Sequence, residues 1–73
     1  MPVYILNKNA QPGSGDHEVH NTSCSYVPNV ENQIALGAHN NCHDAVAAAK
    51  HAYPDSKNKI NGCYYCCSAC HTS

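Results

Sequence analysis

Apolar residues in this chain come in short bursts separated by long polar stretches. Val3-Tyr4-Ile5-Leu6 is a compact β-prone run. Asn9-Ala10-Gln11-Pro12-Gly13-Ser14-Gly15-Asp16 is turn chemistry throughout, so His17-Glu18-Val19-His20 can return as a second strand of a long-tipped hairpin. Residues 21–32 read as a loop, and Gln33-Ile34-Ala35-Leu36 as a third short strand ended by Gly37. The period then changes. Cys42, Ala45, Val46, Ala49 and Tyr53 recur at helical spacing and form one narrow apolar stripe. The spacing predicts a helix over 41–52, with Asn40 or Asn41 as N-cap, Asp44 near the positive end of the dipole and Pro54 as the stop. Residues 55–61 read as a polar connector, with Asn61-Gly62 as a turn before Cys63. From Cys63 onward, Cys63, Cys66, Cys67 and Cys70 would share one face of a short terminal helix or knuckle. The pattern as a whole predicts one small α+β domain, residues 1–73, built as a three-stranded antiparallel sheet with one main helix across it.

The aliphatic supply is thin for such a fold. Five Val, three Ile, two Leu and no Phe or Trp must form the core of 73 residues. Low aliphatic content with high net charge signals disorder, but the formal charge here is only −1. A chain this short commonly needs disulfides or a structural metal, and its six Cys could supply either. The first residues carry neither a basic start nor a long apolar run, so a cytoplasmic setting is expected, where clustered thiols favour metal over disulfides. No stretch is long enough to span a membrane. Four Lys without Arg give a poor electrostatic footprint for nucleic acid.

The thiols and imidazoles fall in chelating pairs. His20-x3-Cys24 and Cys63-x2-Cys66 together fill the four positions of a closed structural zinc site. Short spacings let paired ligands chelate with little loop entropy. Cys67 and Cys70, with His71, are alternate ligands. Cys67-Ser68-Ala69-Cys70-His71 also matches the C-x-x-C-H string of c-type haem attachment. Haem is disfavoured, because attachment follows export and a core without Phe covers a porphyrin poorly. Cys42 lies on the apolar stripe and is assigned to core packing. His17, His39, His43 and His51 are assigned to the surface; Tyr64 and Tyr65 could form a small aromatic contact surface, but one of them is assigned to packing on the helix. Glu18 is the carboxylate placed on the same strand face as His20. No nucleophile–base–acid arrangement is legible, so no catalytic residue is assigned.

His20-x3-Cys24, then Gln33 to Leu36, then Asp44-Ala45-Val46-Ala47-Ala48-Ala49, then Cys63-x2-Cys66, together resemble the N-terminal metal-binding domain of Ada-type DNA-repair methyltransferases and related small zinc domains. The resemblance spans residues 3–66 and rests on spacing and element order. It implies an α+β zinc fold with His20, Cys24, Cys63 and Cys66 as ligands. In the methyl-accepting members the first ligand of the x3 pair is the cysteine that takes the methyl group. Here that place holds His20, and the basic residues that would hold DNA phosphates are missing. The expected function is therefore a non-enzymatic, monomeric zinc module with one Zn2+ and an interaction role toward an unspecified protein partner. Two alternatives from other classes stand beside it: an Ada-like nucleic-acid-binding or alkyl-response domain, and a thiol redox or metal-handling protein using Cys67 and Cys70.

Overall fold

The structure, a computed structural model, describes residues 1–13 and 15–71. Its elements are β1 (Val3–Asn7), β2 (His17–Asn21), β3 (Gln33–Ala38), α1 (Cys42–Ala52) and β4 (Ile60–Gly62). Short 3-10 turns cover Val30–Asn32, Pro54–Lys59 and Ser68–Cys70. The sheet has four strands in the order β3-β1-β2-β4. β1 pairs antiparallel with β2 and with β3, whereas β4 runs parallel to β2. This corrects the expected three-stranded antiparallel sheet. Ile60-Asn61-Gly62 is too short to show a period, and Asn-Gly ordinarily signals a turn. Its partner β2 lies some forty residues upstream, so nothing local announces the pairing. Ser14, in the tip of the β1–β2 hairpin, lies outside the described residues.

Alternation along the strands divides the sheet faces. Tyr4, Leu6 and Val19 pack with Ile60 against Ala45 and Ala49 of α1, and Val19, Ala45 and Ala49 are fully buried. Ala at the two central contact positions lets the helix lie close to the sheet, which suits a chain with few large apolar residues. Cys42 and Val46 flank these alanines and are half-buried, as the stripe predicts. Tyr53 departs from it. It caps the helix C-terminus beyond Ala52, and its side chain is exposed. At the other end the Asn41 side chain accepts from the Asp44 amide at 3.0 Å, so Asn41 is the N-cap.

The β1–β3 register slips between Tyr4 and Ile5, which face Gly37 and Ala35 respectively. Leu36 is the extra residue of this bulge. Gly37 takes φ +82°, a left-handed conformation that a side chain would resist.

Candidate metal centre

β2 carries the first half of the site. His20 stands opposite Ile5 of β1, is 1% exposed, and by alternation faces away from Val19 and the helix. The chain then turns sharply. Asn21 Oδ1 accepts from the Ser23 amide at 3.0 Å and from Ser23 Oγ at 2.9 Å, and the Cys24 amide donates to Asn21 O at 2.9 Å. This Asx turn folds Cys24 back beside His20.

β4 carries the second half. Its parallel register sets Glu18 beside Asn61 and Val19 beside Gly62. The ladder continues one residue further, with the Cys63 amide donating to Val19 O at 2.9 Å, so Cys63 arrives next to His20. A tight turn follows, closed by the Cys67 amide on Cys63 O at 2.9 Å, and it swings Cys66 over the same spot. The unanticipated fourth strand is thus what joins the two ligand pairs.

One ligand atom from each of His20, Cys24, Cys63 and Cys66 lies within 4.8 Å of all the others. Cys24 Sγ is 4.0 Å from Cys63 Sγ, and Cys66 Sγ is 3.9 Å from His20 Nδ1. A tetrahedral ion with metal–sulfur bonds of about 2.3 Å and metal–nitrogen bonds of about 2.0 Å sets such pairs roughly 3.5–3.8 Å apart. The four residues therefore fit a metal ion, and all four are free of disulfides. Burial lowers the His20 pKa, with Glu18 opposing, so the ring is held neutral, the form that binds metal. Burial pushes the Cys66 thiol up, and its contact with Cys24 adds to this. A dication is the natural counterweight to such buried thiolates.

A further layer surrounds the imidazole. With Nδ1 toward the thiols, Nε2 is buried with no hydrogen-bond partner among the described residues and lies 4.0 Å from Glu18 Oε1. Glu18 Oε1 accepts from Gln11 Nε2 at 2.9 Å. Glu18 thus lies on the His20 face, as alternation predicts. A carboxylate on the far nitrogen is the arrangement that orients a metal-bound histidine.

Of the alternate ligands, Cys67 borders the site through its contacts with Cys66 and Cys63, whereas Cys70 and His71 are engaged elsewhere. Cys67 is a buried free thiol outside the four-residue group, and burial raises its pKa. Cys70 forms a disulfide with Cys42, and His71 Nδ1 donates to Gly62 O at 3.0 Å. The Cys42–Cys70 bond corrects two expectations. Cys42 is more than a packing residue, and Cys67 and Cys70 do not form a C-x-x-C redox pair. Of the two readings of the C-terminal stretch, a knuckle or a short helix, the helix is corrected: among the described residues a tight turn over Cys63–Cys67 is followed only by one 3-10 turn, Ser68–Cys70.

Sequence reasoning missed the Cys42–Cys70 partnership because 28 residues separate the two thiols and Cys42 fits the helix stripe equally well. It also preferred packing of one tyrosine on the helix to the aromatic contact surface, its other reading. Tyr64 and Tyr65 are both exposed, Tyr65 stacks on Tyr26 at 4.2 Å between ring centroids, and Tyr64 meets Tyr65 edge-on. His17 is half-buried and its Nδ1 donates to Asn7 O at 3.0 Å; half-buried His39 donates from Nε2 to Leu36 O at 2.7 Å. The His17 ring completes backbone bonding at the end of β1, and the His39 ring at the bulge of β3.

The fold and site define a class: a small α+β domain in which one imidazole and three thiols, drawn from both ends of the chain, could hold a metal ion. Comparison with protein-family models, with curated proteins and with solved structures gave no match. Among the described residues, no helix is long and apolar enough to cross a membrane.

Proposed function

We propose that this chain is a non-enzymatic structural zinc module in which His20, Cys24, Cys63 and Cys66 hold one Zn2+. The observation that carries the reading is the convergence of four metal-competent atoms within 4.8 Å from segments about forty residues apart. Zinc suits the donor set, since three thiolates and one imidazole make a closed tetrahedral site with no position left for substrate. The ion would fasten the β2 turn to the segment after β4, and so close a domain whose aliphatic core is small. Its binding free energy is then part of the folding free energy.

His20 occupies the place of the methyl-accepting cysteine in the resembling repair domains, so the reading includes the zinc and not methyl transfer. The exposed Tyr26–Tyr65–Tyr64 cluster, continuous with the segment that carries Cys66, supports an interaction role rather than a catalytic one.

The test is native mass spectrometry with thiol counting, followed by chelation. One zinc per chain and cooperative loss of amide chemical-shift dispersion on chelation are expected. A dispersed, unchanged spectrum after complete metal removal would overturn the reading.

A further inference from the structure

The three-residue group Cys42, His43 and Cys70 stands on the opposite side of the β4–Cys67 segment and takes no part in the site above. Cys42 and His43 open α1, and Cys70 ends the last 3-10 turn. Their ligand atoms lie within 4.8 Å of one another. Gly62 holds this arrangement close, since a Cβ there would stand only 2.6 Å from Cys70 Cβ. The two thiols are joined as a disulfide, so in this state they offer no thiolate to a cation. His43 is exposed and Cys70 is buried, and both line an open cavity of about 290 Å³ shared with Val46, Ala47, Lys50 and Ala69.

We propose that reduction of the Cys42–Cys70 disulfide creates a second metal site, in which the Cys42 and Cys70 thiolates and the His43 imidazole bind a thiophilic divalent cation. The disulfide accepts two electrons and two protons from a dithiol, which leaves as its own disulfide. The cation then displaces the two thiol protons, and the paired thiolates balance its charge. Two sulfurs and one nitrogen are a zinc-type donor set with one ligand fewer than a closed site. Two of the three donors, His43 and Cys70, line the open cavity, so water or an added ligand could complete the coordination. In this arrangement the same two residues fasten α1 to the C-terminal turn in both redox states: by a covalent bond when oxidised and through a cation when reduced. The ion bound would therefore report the redox state of the surroundings.

The experiment compares the full chain before and after treatment with a trialkylphosphine, which becomes its oxide with oxygen from water and leaves two thiols. Zn2+ is titrated into both forms and counted by native mass spectrometry; Co2+ replaces it for absorption spectra. Reduction should add one Zn2+ per chain, whatever the occupancy of the four-ligand site, so the increment and not the total is decisive. The added Co2+ should show thiolate-to-metal charge transfer weaker than that of a three-thiolate site. In His43→Ala the added ion should bind more weakly by at least the roughly 10–100-fold seen when only an outer-shell partner is lost. His43 is exposed, so this variant retains the fold even where Cys70→Ser does not. Cys67→Ala should leave the increment intact. No added ion on reduction, or an added ion held equally well in His43→Ala, would overturn the proposal.

Discussion

Replacing Gly62 by Ala probes the junction on which both cysteine groups depend. Gly62 sits in β4 with a backbone that L residues adopt freely, so the substitution meets no conformational barrier. Space is the obstacle. An added Cβ would lie 2.6 Å from Cys70 Cβ, 2.8 Å from Cys67 O and 3.1 Å from Cys67 Cβ. None of these is the loose end of a flexible side chain. Two belong to side-chain roots and one to the backbone, so relief requires the Cys67–Cys70 turn to move away from the sheet. Overpacking of this kind costs about 1–3 kcal/mol. Removing a glycine from the unfolded chain returns about 0.4–1 kcal/mol. The net loss should be about 1–2 kcal/mol, which for a domain of this size lowers the melting temperature by roughly 4–16 °C. Thermal unfolding followed by circular dichroism on the oxidised protein, with zinc present, measures it. Zinc affinity should fall too, because Cys66 precedes the displaced turn directly. A Gly62→Ala protein as stable as the parent would refute the reasoning, since it would mean that the turn does not rest on β4.

Other consequences can be checked independently. Cys24→Ser and Cys63→Ser should each abolish stoichiometric zinc at the four-ligand site, while Cys67→Ser should keep it; tight zinc retained in Cys63→Ser would move the site. Cys42→Ala should cost about 2–4 kcal/mol in denaturant titration under oxidising conditions, because the disulfide spans 28 residues; a loss of only a few tenths would show that the bond does not constrain the chain. Glu18→Gln should weaken zinc binding about 10–100-fold while the amide spectrum stays dispersed, because the carboxylate facing His20 Nε2 at 4.0 Å loses its charge; unchanged affinity would remove Glu18 from the site. Zinc binding should release protons. Burial raises the Cys66 pKa, so its thiol keeps its proton until the metal displaces it. Burial lowers the His20 pKa below the ordinary imidazole range, so the ring is neutral at pH 7 and releases no proton there. A pH indicator in weak buffer should therefore report at most three protons per zinc at pH 7, and a fourth would contradict the neutral imidazole.

The parts legible in the sequence are those with local causes. The α1 stripe, its Asn41 cap and its stop at Pro54 follow from helical spacing and from which residues can end a helix. The β1–β2 hairpin follows from a β-prone run and a tip rich in turn residues. The pairing of His20 with Cys24 and of Cys63 with Cys66 as metal-competent groups is legible because chelation by neighbours needs short spacings, and His20 and Glu18 share a face because strands alternate. The parts that escaped have causes distant in sequence. β4 has three residues, and its Asn61-Gly62 resembles a turn signal, yet the glycine is there because Cys67 and Cys70 lie against it. The Cys42–Cys70 bond escaped for a related reason: a half-buried thiol on an apolar stripe packs like any small residue until its partner is known. Both omissions meet at one place, the close approach of the last turn to β4. That contact sets Cys63 and Cys66 toward His20 on one side and Cys70 toward Cys42 on the other. A chain with ten aliphatic residues cannot hold such an approach by burial alone. The cysteines supply what the core lacks, and dividing them between a disulfide and a metal-competent cluster lets two chemistries secure the same short turn.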